Sequence, residues 1–177
     1  YVNFDGDCRM STLTVQNIQG SSTSGNTISV ASGHVIHQPG SILQVVTAQT
    51  TGSSTNVTST SFVEVSNQLR AIITPKFATS KLLVMFQSSM YRSTSTSNPW
   101  GVQTIFRDGV DIAGGNYQFG YTQVAASNGS AIHSGIKSVD ANNTNATTFS
   151  LYVRAGSNHT MQLESADRNI TVMEIAQ

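Results

Sequence analysis

The residues that could do chemistry are few, so their spacing decides which reactions are open to the chain. Ser134 lies between His133 and Gly135. The Gly-x-Ser-x-Gly frame that lifts a hydrolase nucleophile onto a strand-to-helix turn is missing, and Ser134 reads as an ordinary strand residue. Asp108 and Asp111 flank Gly109 in a stretch that favours a tight turn, where aspartate serves the backbone rather than sugar hydrolysis. Other acids are scattered, and only convergence from distant strands could pair them. His34 and His37 have a His-x-x-His spacing, and copies gathered on a symmetry axis could offer several imidazoles to one metal ion. No cysteine or acid completes such a set, so turn histidines are the simpler reading. Cys8 is the sole cysteine, which rules out an intrachain disulfide and offers no zinc site. The expectation is a non-enzymatic chain with no catalytic residue, metal or cofactor.

Binding chemistry is better represented. Tyr117, Phe119 and Tyr121 share one face of a predicted strand, and sugar rings stack on such groups while Asn and Ser supply hydrogen bonds. A core or subunit-interface row is the competing reading. Trp100 follows the polar stretch Ser93 to Pro99, at a loop base where amphipathic rings either pack or anchor contacts. Around these aromatics, Asn98, Asn128, Asn142, Asn143 and Asn145 supply adaptable polar groups on predicted loops. Trp100, Tyr117, Tyr121 and these five asparagines form the candidate receptor-contacting set. Six Asn-x-Ser/Thr patterns, at Asn56, Asn128, Asn142, Asn145, Asn158 and Asn169, follow from composition rather than from a glycosylation programme.

The elements that must position these residues are strands. Short β-branched or aromatic segments recur between Gly, Asn, Ser and Pro clusters, and no helical period is found. Strands are expected at Thr12–Ile18, Thr27–Ala31, Ile42–Gln49, Ser61–Val65, Leu69–Thr74 and Lys81–Tyr91. Others follow at Val102–Arg107, Val110–Ile112, Tyr117–Val124, Ala131–Val139, Thr147–Arg154, Thr160–Glu164 and Ile170–Ile175. Phe149, Leu151 and Val153 alternate with Ser150, Tyr152 and Arg154, the pattern of a strand buried on one side. Asp108-Gly109 between two apolar runs predicts a two-residue hairpin. Leu82 to Phe86 is the longest apolar run. It predicts a central strand covered on both faces, by the opposing sheet and by a loop or a neighbouring subunit.

Composition narrows the class. Charged residues make up 10% of the chain, well below the roughly 25% of an ordinary soluble domain. Ser (25), Thr (21) and Asn (13) occupy a third of its 177 positions and supply most of the polarity. Nine basic residues balance nine acidic ones, leaving no basic stretch to neutralise a phosphate backbone. No segment approaches the ~20 apolar residues of a membrane-spanning helix. Neither nucleic acid nor membrane insertion is expected. From Ile42 onward, strand spacing and turns fit an all-β antiparallel sandwich, a jelly roll. Residues 1 to 41 hold too few large apolar groups for a core of their own and must pack on something else.

Met10-Ser11-Thr12-Leu13-Thr14-Val15-Gln16-Asn17-Ile18-Gln19-Gly20, then Thr27-Ile28-Ser29-Val30 and Ser32-Gly33-His34, resemble the opening of marine bacteriophage virion proteins, the cyanophage type included. Gly40-Ser41-Ile42-Leu43-Gln44-Val45-Val46, Ile72-Ile73-Thr74-Pro75, Ser80-Lys81-Leu82-Leu83-Val84, Phe106-Arg107-Asp108-Gly109 and Ile170-Thr171-Val172-Met173-Glu174-Ile175 resemble later strand landmarks of the same class. These are strand signatures and carry no active-site motif. The resemblance implies a tail-fibre, capsid-fibre or capsid-decoration protein on the particle surface, trimeric, with a knob similar to the jelly rolls of the tumour-necrosis-factor type. It implies a homotrimer whose residues 1–41 join other virion proteins as an attachment or stalk segment. Residues 42–177 would form the knob, which touches a host surface glycan or protein. Host recognition as the main task, or a polysaccharide-degrading tailspike, are the rival readings; the chain is short for the long β-helix of a tailspike. Any recognition is expected on the loops Ser93 to Pro99, Ala125 to Ser130 and Asp140 to Thr147.

Overall fold

Two antiparallel sheets of six strands each account for nearly all the described backbone. The computed structural model describes residues 38–50, 54–92, 100–114, 120–123, 130–156, 160–163 and 168–177, all within the unit His37–Gln177. The strands expected at Thr12–Ile18 and Thr27–Ala31, Cys8, and His34 with His37 lie outside the described residues. The first sheet holds β1 (Ile42–Thr50), β2 (Thr55–Val57), β5 (Lys81–Arg92), β9 (Ser130–Asp140), β11 (Met161–Leu163) and β12 (Arg168–Ile175). The second holds β3 (Val63–Glu64), β4 (Arg70–Ile73), β6 (Trp100–Arg107), β7 (Val110–Asp111), β8 (Gly120–Gln123) and β10 (Thr147–Ala155).

Several strands share a position end to end. β12 and β11 run along the same side of β5, with β1 and β2 outside them and β9 on the other side. β3 and β4 flank one side of β10, β6 flanks the other, and β7 and β8 lie beyond β6. Counted as eight positions in chain order, the sheets read 1-8-3-6 and 2-7-4-5. Such a winding gives the eight-stranded double sheet of a jelly roll, and the expected all-β sandwich is what forms.

The central strand is β5, paired with β12 and β11 along one side and β9 along the other. Its even-numbered residues Leu82, Val84, Phe86 and Met90 point inward and are buried, with Ile170 and Val172 of β12 beside them. Phe149, Leu151 and Val153 of β10 and Ile105 of β6 close the core from the second sheet, each fully buried. Every such side chain contributes roughly 1.5–3 kcal/mol through burial. At one end of the core Gly101 faces the methionines. A Cβ there would stand 2.9 Å from Met161 Cγ and 3.1 Å from Met90 Sδ.

The hairpin at Asp108-Gly109 forms as expected, with φ of 50° and 83°, the left-handed pair that a two-residue turn of matching twist needs. Asp108 also ties the turn to β10: its carboxylate accepts from the Thr148 amide at 2.8 Å, and its own amide donates to the Thr148 carbonyl at 2.9 Å. Leu69 was expected to open a strand but instead ends a 3-10 turn, Asn67–Leu69. Ser66 Oγ accepts from Gln68 N at 3.1 Å, a local bond that competes with sheet pairing. Strand β2 carries no sequence signal of its own and exists through its pairing with β11.

Glu174 is fully buried on β12. Its Oε1 accepts from the amides of Lys76 (2.7 Å) and Phe77 (3.1 Å), and its Oε2 from Gln44 Nε2 (2.6 Å). Burial pushes this carboxyl upward, but the donors outweigh it and hold it below the ordinary glutamate range. His133 on β9 is held below the ordinary histidine range by burial. Both groups take up protons in the unfolded chain first, so stability falls as pH drops below ~6.5 for the histidine and again below ~4.3 for the glutamate. Chemical denaturation followed across pH 8 to 3 should show this loss, and Glu174→Gln should remove its lower part. Glu174→Ala should cost about 1–3 kcal/mol by leaving its donors unsatisfied. Overpacking by Gly101→Ala should also cost about 1–3 kcal/mol, read as a lower denaturation midpoint at unchanged slope.

Candidate functional site

On β10 the residues between the core positions, Thr148, Ser150, Tyr152 and Arg154, face away from the first sheet. Cross-strand register sets their neighbours: Tyr152 lies between Glu64 of β3 and Thr104 of β6. Ser150 lies between Arg70 of β4 and Phe106 of β6, and Thr148 beside Ile72. This outer face therefore gathers aromatic, charged and hydroxyl groups on rigid strands.

Aromatic contacts organise one half of it. Phe106 and Tyr152 stack with centroids 3.9 Å apart and planes at 21°, and Phe62 meets Phe106 edge-on at 5.8 Å. The Arg154 guanidinium sits 5.1 Å from the centre of the Phe62 ring and 5.5 Å from that of Trp100, a cation between two π-faces. In the other half, Arg70 Nε and Nη2 donate to the two oxygens of Glu64, each at 2.7 Å. The bond to Glu64 raises the Arg70 pKa further. Between the ion pair, Tyr152 and the Asp108-Gly109 turn opens a cleft of about 270 Å³, also lined by Ile72, Thr148 and Ser150.

The residues singled out from sequence are placed as follows. Trp100 starts β6, half-buried, its ring under Arg154. Asn142, Asn143 and Asn145 are exposed on the connection before β10; Asn142 has a φ of 66°, and the Asn143 side-chain oxygen accepts from the Asn145 amide at 2.8 Å. Trp100 lies past the Ala155 end of β10, and the asparagines precede its Thr147 end. The length of β10, roughly 25 Å at ~3.3 Å per residue, separates them. Tyr121 pairs with Val102 through β8. Asn98, Tyr117, Phe119 and Asn128 lie outside the described residues. Of the three loops expected to carry recognition, the strand ends flanking Ser93 to Pro99 and Ala125 to Ser130 lie at the Trp100 end, and those flanking Asp140 to Thr147 at the other.

The chemistry weighed from sequence meets specific geometry. Ser134 and His133 are consecutive on β9 and point to opposite faces of the sheet, so they cannot form a nucleophile–base pair. The Asp111 carboxylate accepts from Thr104 Oγ1 at 2.7 Å and from Ala113 N at 2.9 Å, while that of Asp108 is engaged with Thr147 and Thr148. Among the described residues, no three His, Cys, Asp or Glu side chains are grouped to hold a metal ion. Sequence reasoning placed Tyr152 and Arg154 on the face opposite the core but did not assign them a site. Glu64 and Arg70 gave no signal, because the 3-10 turn between them sets their approach. Neither a protein-family profile nor a curated protein matches the chain.

Because the chain has one tryptophan, its fluorescence reports on this cluster alone. Arg154→Ala should shift Trp100 emission and lower stability by about 0.5–2 kcal/mol, with Arg154→Lys intermediate. An emission spectrum identical to that of the parent would show that the guanidinium does not govern the ring's surroundings.

Proposed function

We propose that the chain is a non-enzymatic structural protein of a virus particle, a homotrimeric fibre knob or capsid-decoration subunit of the bacteriophage type. In this reading, residues 1–41 reach other virion proteins and the sandwich is displayed on the surface. The observation that carries the self-associating part is the outer face of the first sheet. Ile132 and Ile136 on β9 are 74% and 60% exposed, and Val45 on β1 is 52% exposed. Between them lie the half-buried Met173, Leu83 and Met85, in register as Val45–Met173–Leu83 and Met85–Ile136. An apolar stripe running across four strands is the kind of surface a soluble protein covers with a partner, and closed symmetric copies of the same chain are the commonest cover. The virion setting is supported by the resemblance of the strand landmarks, and the jelly-roll winding accords with it.

Multi-angle light scattering at micromolar concentration should give the mass of a trimer, and the double substitution Ile132→Asp, Ile136→Asp should yield folded monomers. A parent chain that is already monomeric overturns the assignment. Gly40 N donates to the Ala176 carbonyl (2.8 Å) and Ala176 N to the Ser41 carbonyl (2.9 Å). A truncation meant to spare the sandwich should therefore remove residues 1–36. That chain should fold and associate but fail to join particles, as checked by western blot of purified virions.

A further inference from the structure

The cleft on the outer face of the second sheet lies on the opposite side of the sandwich from the apolar stripe and is independent of the self-association reading. We infer that it is a binding site for a neutral saccharide, sized for one pyranose ring of a glycan. Charge comes first. Arg70 is held bidentately by Glu64, and Asp108 is occupied by Thr147 and Thr148 with Arg107 at 3.9 Å. The lining offers no uncompensated cation for a phosphate, sulfate or carboxylate, so an anionic ligand would meet Glu64 and Asp108 instead.

The same ion pair is suited to hydroxyls. Of the five guanidinium N–H groups, Glu64 takes two, which leaves three donors; each carboxylate oxygen keeps a second lone pair. With side chains 48% and 20% exposed, Arg70 and Glu64 present a planar edge of adjacent donors and acceptors. Neighbouring hydroxyls on a sugar ring, each both donor and acceptor, complement such an edge. The hydroxyls of Ser150 and Thr148 extend it. An apolar surface for the ring's C–H face comes from Ile72, a large aliphatic residue left 57% exposed within this polar setting, and from Tyr152.

Rigidity and size complete the case. Arg70, Ile72, Thr148, Ser150 and Tyr152 stand on β4 and β10, whose other faces are locked into the core, and β3 holds Glu64 in register with Tyr152, as a preorganised site requires. At about 270 Å³ the cleft falls just below the ~300–1,000 Å³ of drug-sized pockets. A single ring, or the end of a chain, fits where an oligosaccharide would not.

The test is saturation-transfer and heteronuclear shift NMR on the full chain with methyl β-glucopyranoside, methyl β-galactopyranoside, methyl α-mannopyranoside and methyl β-glucuronide. At least one neutral glycoside should bind with millimolar affinity and perturb Ile72, Ser150 and Tyr152. Arg70→Met and Ile72→Asp, both at exposed positions and checked for unchanged melting, should each weaken it about tenfold or more. Glu64→Gln should weaken it less than Arg70→Met. Ile132→Asp, on the other sheet, should leave single-site affinity unchanged whatever it does to association. Failure of all three neutral glycosides to bind overturns the inference. So does binding that survives Arg70→Met and Ile72→Asp, tighter binding of the glucuronide than of any neutral glycoside, or loss of binding in Ile132→Asp.

Discussion

The structure depends on the double-sided character of β5. A strand has only two faces, and five consecutive apolar residues, Leu82 to Phe86, put hydrophobic side chains on both. Leu82, Val84 and Phe86 settle the inner face and fix the register of β12 and β9 against it. Leu83 and Met85 are thereby committed to the outside, where a one-residue slip would exchange the two sets. Core and outward-facing apolar stripe are thus two consequences of one strand.

With so little charge to spend, the sandwich relies on uncharged polar groups and on few, well-placed ions. Glu174 sits buried on neutral donors, where it fastens the connection from β4 to β5 onto β12 and β1. Gln103 lies fully buried between the sheets and donates to Ser88 Oγ at 3.3 Å, a polar contact across an apolar core that favours one alignment of the sheets over others. The exposed Lys81–Asp140 pair, by contrast, contributes little.

What was legible in the sequence was what period and turn chemistry encode. Alternation at Phe149, Leu151 and Val153 put β10 in the core, the run at Leu82 marked the central strand, and Asp108-Gly109 marked the hairpin. What was illegible depends on pairing between distant segments. Thr55–Val57 becomes a strand only because Met161–Leu163 lies beside it. Ser66 caps a 3-10 turn that extends through Leu69, where a strand was expected to begin. Arg154 lies between Phe62 and Trp100 through register that no local window contains, whereas Glu64 meets Arg70 across the 3-10 turn that separates them. The same applies to the candidate contact residues: Trp100 and Asn142 to Asn145 share a polar, loop-like context in sequence yet stand at opposite ends of the sandwich.

The winding of the strands also bears on how the chain reaches this state. Of the successive steps between the eight positions, only that from β6 to β7 stays within one sheet; every other crosses between sheets. Nearly all native pairings therefore close long loops before any burial rewards them, which places the protein among the slow folders, on the millisecond-to-second scale. Among the described residues, the Asp108-Gly109 hairpin is the strand pairing able to form locally and early. While the rest assembles, β1 and β9, the outermost long strands of the first sheet among the described residues, stand beside exposed isoleucines and valine, and sparse charge does little to keep two such chains apart. Closure of the sandwich from the unfolded chain is therefore favoured by dilution, which separates the chains while their long-range pairings form.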